Sequence, residues 1–242
     1  MGMNDYLDKI AFFYEEEDFD NILLYYGLRT FEKYRKGKAF LELGCSLGIS
    51  TSFLLKYASI LDVVEGSEIN IKRAKSKIGN TNKVKFYHSL WEDFKYPKKK
   101  YSDIIWFRGI EHTNNPEKIL KKISNSLIPD GRLHIIVPNA LSLHRRIGAI
   151  MGLIKNPWAM SERDIALGHV KVYDRFKLLS ILTENKYKII AWEGIILKPF
   201  PNDKMFQLYK ENPELIEALY EVGKELPDYC AEIYVCATPN KG

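Results

Sequence analysis

The chain's 242 residues are 46% hydrophobic and 28% charged, with a formal net charge of +5, which is ordinary for one globular domain with a sizeable core. Apolar runs stay well short of the roughly 20 residues that a membrane-spanning helix needs, and residues 1–10 are too polar for a secretory signal. These two features lead us to expect a cytoplasmic protein that binds no membrane. Because the basic excess is small and forms no clear stripe, we also expect no nucleic-acid partner.

Predicted strands and helices alternate along most of the chain, which is typical of parallel strands joined by crossover helices. A helix is predicted over residues 18–36, before the first strand. The predicted strands span residues 39–43, 60–65, 84–88, 103–107, 132–137, 187–197 and 230–237. The predicted helices between them span residues 49–56, 68–77, 116–127 and 174–184, and a turn is predicted at residues 129–131. This alternation predicts a doubly wound α/β sheet.

Two stretches, residues 139–170 and 198–228, are too long for ordinary connections in such a sheet. Long connections are often lids over functional sites. We therefore predict a single domain over residues 1–242. It has an N-terminal helical segment at residues 1–37, a ligand-binding core at residues 38–138, and two insertions that cover the substrate.

Three cysteines lie far apart in the chain and lack the spacing of metal ligands: Cys45, Cys230 and Cys236. An odd number of isolated cysteines indicates reduced thiols in the core or in loops. The sequence therefore predicts neither a disulfide framework nor a metal site.

Ligands of open parallel sheets bind beyond the carboxyl ends of the strands, so residues that follow each strand are site candidates. Gly44 and Gly48 follow the first predicted strand, where glycines permit a sharp turn and a close approach of ligand to backbone. Glu65 ends the second strand, roughly 20 residues later, at the spacing at which a carboxylate reaches the hydroxyl pair of a ribose. The spacing of the two glycines differs from the Gly-x-Gly-x-x-Gly fingerprint of nicotinamide-dependent dehydrogenases, which disfavours that class.

Four segments occur in the order of one enzyme family: Glu42-Leu43-Gly44-Cys45-Ser46-Leu47-Gly48, then Glu65, then Asp103-Ile104-Ile105-Trp106-Phe107 with Glu111-His112, then Leu127-Ile128-Pro129-Asp130-Gly131-Arg132-Leu133. Together they resemble class I S-adenosylmethionine-dependent methyltransferases, nearest in pattern to ubiquinone-pathway O-methyltransferases and enzymes that methylate sugars and small metabolites. The resemblance implies a Rossmann-like sheet of seven strands, mostly parallel with an antiparallel last strand, and helices on both faces. It also implies S-adenosylmethionine as the cofactor and S-adenosylhomocysteine as its product.

The resemblance further implies cofactor contacts beyond the strand ends. Glu65 would hold the ribose hydroxyls, and Trp91 would pack against the adenine. The full set of implied cofactor contacts is Glu42, Gly44, Cys45, Gly48, Glu65, Gly66, Ser67, Ser89, Leu90, Trp91, Arg108 and Gly109. Two residues depart from the family pattern: Ser46 stands where a glycine is common, and Leu90 stands where many members have an aspartate that accepts from the adenine amino group.

Two histidines are candidates for the base that removes the acceptor's proton, because imidazole titrates near neutral pH. His112 follows the fourth strand and is alternatively a helix cap or a group that positions the substrate. His169 closes the first insertion and is a candidate base or acceptor contact. The predicted substrate contacts are Glu111, Asn139, Arg145 and Tyr173. Among them, Arg145 suits an anionic acceptor, since guanidinium groups bind phosphates in two-pronged fashion.

The resemblance to sugar and metabolite methyltransferases favours a small acceptor, a hydroxyl on a sugar or phosphorylated precursor of a surface glycan or secondary metabolite. Two alternatives stay open: N-methylation of a small molecule or amino sugar, and cofactor binding without catalysis. A nucleic-acid or protein substrate is disfavoured, because the chain lacks the Asn/Asp-Pro-Pro-aromatic motif of amino-group DNA methyltransferases. We expect a monomer or a homodimer.

Overall fold

The computed structural model describes residues 3–13 and 17–240. Its strands are β1 Ala39–Leu43, β2 Ile60–Glu65, β3 Val84–His88, β4 Tyr101–Phe107, β5 Leu127–Pro138, β6 Tyr187–Ile195 and β7 Glu232–Pro239. They form one sheet in the order β3-β2-β1-β4-β5-β7-β6. The pairs on the β3 side are parallel, whereas β7 runs antiparallel to both β5 and β6. The predicted doubly wound sheet with an antiparallel last strand is confirmed.

Helices cover both faces of the sheet, as predicted. They are α1 Met3–Ala11, α2 Phe19–Tyr34, α3 Ile49–Leu54, α4 Glu68–Ile78, α5 Pro116–Ser126, α6 Leu143–Ile150, α7 Glu162–Ala166, α8 Arg175–Glu184, α9 Asn202–Glu211 and α10 Pro213–Gly223. The helices α5 and α8 bury apolar side chains against one face. The other face is covered by α2, α3 and α4 together with α9 and α10. Across the described residues, no helix combines the length and apolarity required to cross a bilayer.

Helix starts follow from local capping chemistry. Asp174 accepts a hydrogen bond from the backbone of Lys177 at the start of α8, and Ser67 accepts one from Asn70 at the start of α4. Such caps satisfy backbone N–H groups that have no partner inside the helix. Pro116 occupies the first turn of α5, where its missing N–H costs nothing.

The strand β4 is buried on both faces, as its continuous apolar sequence predicts. The predicted turn at residues 129–131 is instead an irregularity inside β5, which begins at Leu127. Tyr101 pairs with Leu127 and Asp103 with Arg132, so the residues between Leu127 and Arg132 bulge out of the ladder. Asp130 makes this possible with a φ of 58°, a conformation that aspartate tolerates better than most residues.

The two insertions differ in position. Residues 139–170 contain α6 and α7, and α7 lies beside the start of α2 through hydrogen bonds of Arg163. Residues 198–228 contain α9 and α10, which bury Met205, Ile216 and Tyr220 in the core cluster shared with α2. The second insertion thus extends the core on that face of the sheet.

Candidate active site

A cavity of about 470 Å³ lies at the carboxyl ends of β1, β2 and β4, the edge at which open α/β sheets bind ligands. Its size is that of a pocket for a small ligand. The strand-end side contributes Gly44, Cys45, Ser46, Glu65, Gly66, Ser89, Leu90, Trp91, Phe107, Arg108 and His112. The opposite side is formed by the N-terminal helices and α7, with Leu7, Ile10, Phe13, Asp18, Asp20, Asn21, Leu24 and Arg163.

The turn after β1 leaves its backbone open to the cavity. Gly44 and Gly48 have φ values of 86° and 76°, which glycine adopts without strain. A Cβ at Gly48 would lie 2.6 Å from Cα of Ala74, and one at Gly44 would lie 3.2 Å from the Trp91 ring. Ser46, the departure from the family's glycine, takes a φ of 43°. The turn therefore keeps the left-handed conformation despite the side chain.

The Glu65 carboxylate lies on the cavity wall and is held by backbone N–H groups. Oε2 accepts from Cys45 N at 3.0 Å and from Ser46 N at 3.4 Å, and Oε1 accepts from Ser67 N at 2.9 Å. A carboxylate offers about four lone-pair sites, and the 3.4 Å contact is long. Glu65 is thus fixed in place and retains capacity for hydroxyl groups from the cavity.

Glu42 lies behind the cavity wall, although it belongs to the segment 42–48 that forms the glycine turn. It is 1% exposed and accepts hydrogen bonds from the hydroxyls of Ser50 and Thr51. Burial raises the pKa of Glu42 to about 7. Its task is to fasten the first turn of α3 to β1, which places the glycine turn.

The predicted cofactor contacts fall into two groups. Eight line the cavity: Gly44, Cys45, Glu65, Gly66, Ser89, Leu90, Trp91 and Arg108. The others lie outside its lining: Glu42, Gly48, Ser67 and Gly109. A Cβ at Gly109 would lie 2.2 Å from Nε1 of Trp106, so this glycine permits close packing beneath the site.

An apolar end of the cavity is built from Leu90, Trp91 and α1. Trp91 donates from Nε1 to the carbonyl of Val64 at 3.3 Å. A Cβ at Gly66 would lie 2.4 Å from Cδ1 of Leu7 and 3.3 Å from Cδ2 of Leu90. Asp8 ties α1 to the sheet by accepting from the Ser67 hydroxyl at 2.5 Å. The helix α1 therefore closes this end.

A charged wall lies on the side of the cavity near α2 and α7. Arg163 donates from Nη2 to Asp20 at 2.7 Å and also to Asp18. Arg108, with a φ of 49°, donates from Nε to Glu232 at 2.5 Å. Burial by itself would raise the pKa of Asp20, but the charges of Arg108 and Arg163 outweigh it and lower that pKa far below the ordinary value.

The structure brings together three residues predicted for catalysis and substrate contact: Glu111, His112 and His169. The two histidine ring centroids are 4.8 Å apart, and one ligand-type atom of each of the three residues lies within 4.8 Å of the others. His112 lines the main cavity, whereas Glu111 and His169 line a small cavity of about 10 Å³ behind it. Burial lowers the pKa of His112 to about 4 and raises that of Glu111 to about 7.

The other predicted substrate residues line only the small cavity. Asn139 donates to the carbonyls of Asp228 and Cys230 and accepts from Leu141 N. Arg145 binds the carboxylate of Asp164 and two carbonyls of its own insertion. These two side chains therefore hold the insertions in place.

Tyr173 is also part of the small cavity and is 1% exposed. Its hydroxyl has no hydrogen-bond partner within the part of the chain that the structure describes. The negative charge of Glu111 lies close enough to add to the rise that burial causes in the pKa of Tyr173. The tyrosine thus lies beside the Glu111 group and outside the main cavity.

Residues on the covering side were not predicted as site residues. Leu7 and Ile10 have the i, i+3 spacing of one helix face, and Asp18 stands where an N-cap precedes α2. Arg163 lies in α7, whose capping box of Ser161 and Asp164 was a recognisable helix start. These signals locate helices but do not say that their side chains converge on the cavity.

Comparisons with known proteins agree with this geometry. A family model described as a methyltransferase domain matches residues 14–191. Among solved structures, an S-adenosylmethionine-dependent methyltransferase from Mesorhizobium loti is 16% identical, with 89% of this chain and 97% of that chain covered and a TM-score of 0.63. The YcgJ protein from Bacillus subtilis is 16% identical, with coverages of 90% and 100% and a TM-score of 0.60. The N-methyltransferase NodS from Bradyrhizobium japonicum is 14% identical, with coverages of 91% and 93% and a TM-score of 0.54.

A comparison with curated proteins finds no match. At identities this low, the likeness to solved structures shows the fold alone. The family model covers residues 14–191, which is well over half of the chain. The seven-stranded sheet has the same fold as the solved structures named above. The chain belongs to the methyltransferase-domain family, and it is an enzyme that uses S-adenosylmethionine.

The cavity residues fit this cofactor. Its apolar end at Leu90 and Trp91 suits a flat base, and the Glu65 carboxylate suits a pair of hydroxyls. The glycine turn at Gly44 leaves space that a Cβ would fill against Trp91. These residues would hold S-adenosylmethionine, whose sulfonium supplies an activated methyl group.

Proposed function

We propose that the enzyme methylates a hydroxyl group of a small polar acceptor, such as a sugar or a phosphorylated precursor. The observation that carries this proposal is the charged wall of the cavity, formed by Asp18, Asp20, Arg108 and Arg163. Carboxylates accept hydrogen bonds from hydroxyl groups, and guanidinium groups bind phosphate. A wall with both signs of charge suits an acceptor that carries several polar groups.

The chain's own residues contribute mainly by positioning. Holding two reactants in the right orientation removes much of the entropic cost of a bimolecular step. Glu65 and the glycine turn fix the donor side, and the charged wall fixes the acceptor side. Because α1 and α7 cover the cavity, its polar contacts are partly shielded from water, which strengthens them.

Removal of the acceptor's proton is assigned to the group formed by Glu111, His112 and His169, of which His112 lines the cavity. A hydroxyl is a poor nucleophile until its proton leaves, and such assistance typically contributes 10²–10⁴-fold in rate. We therefore expect changes in this group to reduce turnover while cofactor affinity stays the same.

N-methylation is the second candidate. One structural neighbour, NodS, is an N-methyltransferase, and the carboxylates of Asp18 and Asp20 would also attract an amino sugar. An amine that is already neutral needs little help from a base, so this candidate predicts weak dependence on the Glu111 group. Cofactor binding without catalysis is the remaining alternative.

The test is methyl transfer from S-adenosylmethionine carrying a trideuterated methyl group to matched acceptors. Sugars, sugar phosphates and amino sugars of the same ring are compared, and mass spectrometry locates the label. We expect label on oxygen, and at least a tenfold loss of kcat/KM in Asp20→Asn, on the order of one lost charged hydrogen bond. The matched control is Asp203→Asn, which changes an exposed carboxylate on α9. Label on nitrogen alone would establish the second candidate, and stoichiometric cofactor binding without transfer to any acceptor would contradict both.

A further inference from the structure

We propose that Glu111, His112 and His169 together bind a divalent transition-metal ion. The inference deepens the proposed function, on which it rests for the ion's role, because His112 faces the cavity that would hold the acceptor. Ion binding itself is independent of turnover. His112 and His169 lie far apart in the sequence, so their spacing gave no indication of a metal site.

The three side chains converge closely enough to share one ion. One ligand atom from each lies within 4.8 Å of the others. With bonds of about 2.1 Å, two ligands on a tetrahedral ion lie about 3.4 Å apart. Side-chain rotations that move the ligand atoms by about 1 Å therefore bring all three atoms to bonding distance of one ion.

Both imidazole rings are oriented as metal ligands usually are. Nδ1 of His112 lies 3.2 Å from the carbonyl oxygen of Gly168, and Nδ1 of His169 lies 3.3 Å from Oδ1 of Asp164. Metal-binding histidines commonly direct one ring nitrogen to a carbonyl or a carboxylate, which fixes the tautomer and the ring. In this arrangement Nε2 of each ring is the atom left for an ion.

The Glu111 carboxylate needs a partner. It is 1% exposed, and neither of its oxygens has a hydrogen-bond partner among residues 3–13 and 17–240. A buried carboxylate without a partner is costly. The small cavity of about 10 Å³ beside Glu111 and His169 has room for a particle the size of one water molecule. A bound cation in this position would give the carboxylate a partner of opposite charge.

Charged groups of both signs surround the three side chains. The carboxylates of Asp164 and Glu232 lie near Glu111 and His169. Two guanidinium groups lie in the same region: Arg108 pairs with Glu232, and Arg145 pairs with Asp164. The carboxylates of Asp164 and Glu232 are thus each paired with a guanidinium group, and Lys171 also lines the small cavity. Glu111 makes no ion pair among the described residues, which leaves its carboxylate for a cation.

The ligand set indicates the kind of ion. Two imidazole nitrogens and one carboxylate suit Mn²⁺, Fe²⁺, Co²⁺ or Zn²⁺, whereas Mg²⁺ and Ca²⁺ prefer oxygen ligands. Three protein ligands also leave a coordination position open, as in catalytic sites. An acceptor hydroxyl bound there would lose its proton more readily, which is the assistance that the proposed function assigns to this group.

The experiment measures ion binding without cofactor or acceptor. The full chain is stripped with a chelator, and Mn²⁺ and Zn²⁺ are titrated by calorimetry. We expect one ion per chain in the wild type. Glu111→Gln and His169→Gln should each weaken binding by more than about 100-fold, beyond the loss typical for residues that only support a ligand. His88→Gln is the matched control, because His88 is exposed and lies outside the group.

A second measurement covers the case in which a variant does not fold. In the wild-type protein loaded with Mn²⁺, pulsed electron paramagnetic resonance should detect coupling to histidine nitrogen, and Mn²⁺ should raise the melting temperature. Absence of nitrogen coupling, or equal ion binding by wild type and folded Glu111→Gln, would overturn the inference. If the protein binds no ion but transfers the labelled methyl group to oxygen, the metal site is refuted and the proposed function stands. If the protein binds an ion but transfers the label only to nitrogen, the proposed function is refuted and the metal site stands.

Discussion

Glu42 and Glu65 lie at the ends of neighbouring strands and have different tasks. Glu65 lines the cavity and is held by three backbone N–H groups. Glu42 faces the core, where the hydroxyls of Ser50 and Thr51 satisfy it. We propose that Glu65 serves ligand binding, whereas Glu42 positions the glycine turn after β1.

Glu42 provides a prediction about stability and pH. Burial raises the pKa of Glu42 from 4.5 to about 7 in the folded protein, so the folded state binds this proton more tightly than the unfolded chain. The free energy of unfolding contributed by this group therefore falls as pH rises from about 4.5 to about 7. Glu42→Gln, which imitates the protonated acid, should be more stable than wild type at pH 8 by up to about 3 kcal/mol.

Chemical denaturation of both proteins at pH 4.5 and pH 8 measures this difference. At the lower pH, where Glu42 is protonated when folded, the advantage of the variant should disappear. The comparison between wild type and variant cancels the contributions of other titrating groups. Equal unfolding free energies of the two proteins at pH 8 would show that Glu42 is not a buried charge.

At the scale of single residues, the sequence identifies the cavity residues that directly follow a strand. Gly44, Glu65 and Trp91 are identifiable because a strand end and a turn place them at one edge of the sheet. Arg145 looks equally suitable as a ligand in the sequence, but three partners in its own insertion occupy its guanidinium. Such partners come from tertiary packing, which sequence spacing does not encode.

Among the elements, α1 is the part of the site that the sequence did not indicate. Its first residues are polar, yet Leu7 and Ile10 line the cavity. Ile10 packs on Gly168, where a Cβ would lie 2.5 Å from its Cδ1. The helix α1 therefore contacts both the apolar end of the cavity and the end of the first insertion.

A substitution in α1 tests its role as a cover. Leu7→Ala should raise the dissociation constant of S-adenosylmethionine about fivefold, because it removes about 1 kcal/mol of apolar contact beside Gly66 and Leu90. The control is Leu153→Ala, since Leu153 is 72% exposed on the first insertion. Calorimetric titration of both variants gives the comparison. Wild-type affinity in Leu7→Ala would mean that α1 does not cover the bound cofactor.

The strands were predicted more closely than the insertions for a physical reason. The sheet is specified by short apolar runs that end in turn residues, as in β1 and β4. The insertions instead depend on contacts between distant segments, such as Arg163 with Asp18 and Asp20. Their helices have local signals, but the surface against which each one packs is decided by tertiary contacts.

At the scale of the whole molecule, the fold and the cavity support one arrangement. The sheet order places the ends of β1, β2 and β4 side by side. The N-terminal helices and α7 then enclose the space beyond those ends. We propose that the apolar end with Glu65 holds the cofactor and that the charged wall holds the acceptor.

The most direct test of this account is calorimetric titration of S-adenosylhomocysteine into wild type, Glu65→Gln and Glu68→Gln. Glu68 is an exposed carboxylate on α4, close in sequence to Glu65 and outside the cavity. We expect one binding site in wild type and in Glu68→Gln, and a loss of about 1–3 kcal/mol in Glu65→Gln, the range for a hydrogen bond to a charged group. Equal affinity of Glu65→Gln and wild type would contradict the placement of the cofactor in this cavity.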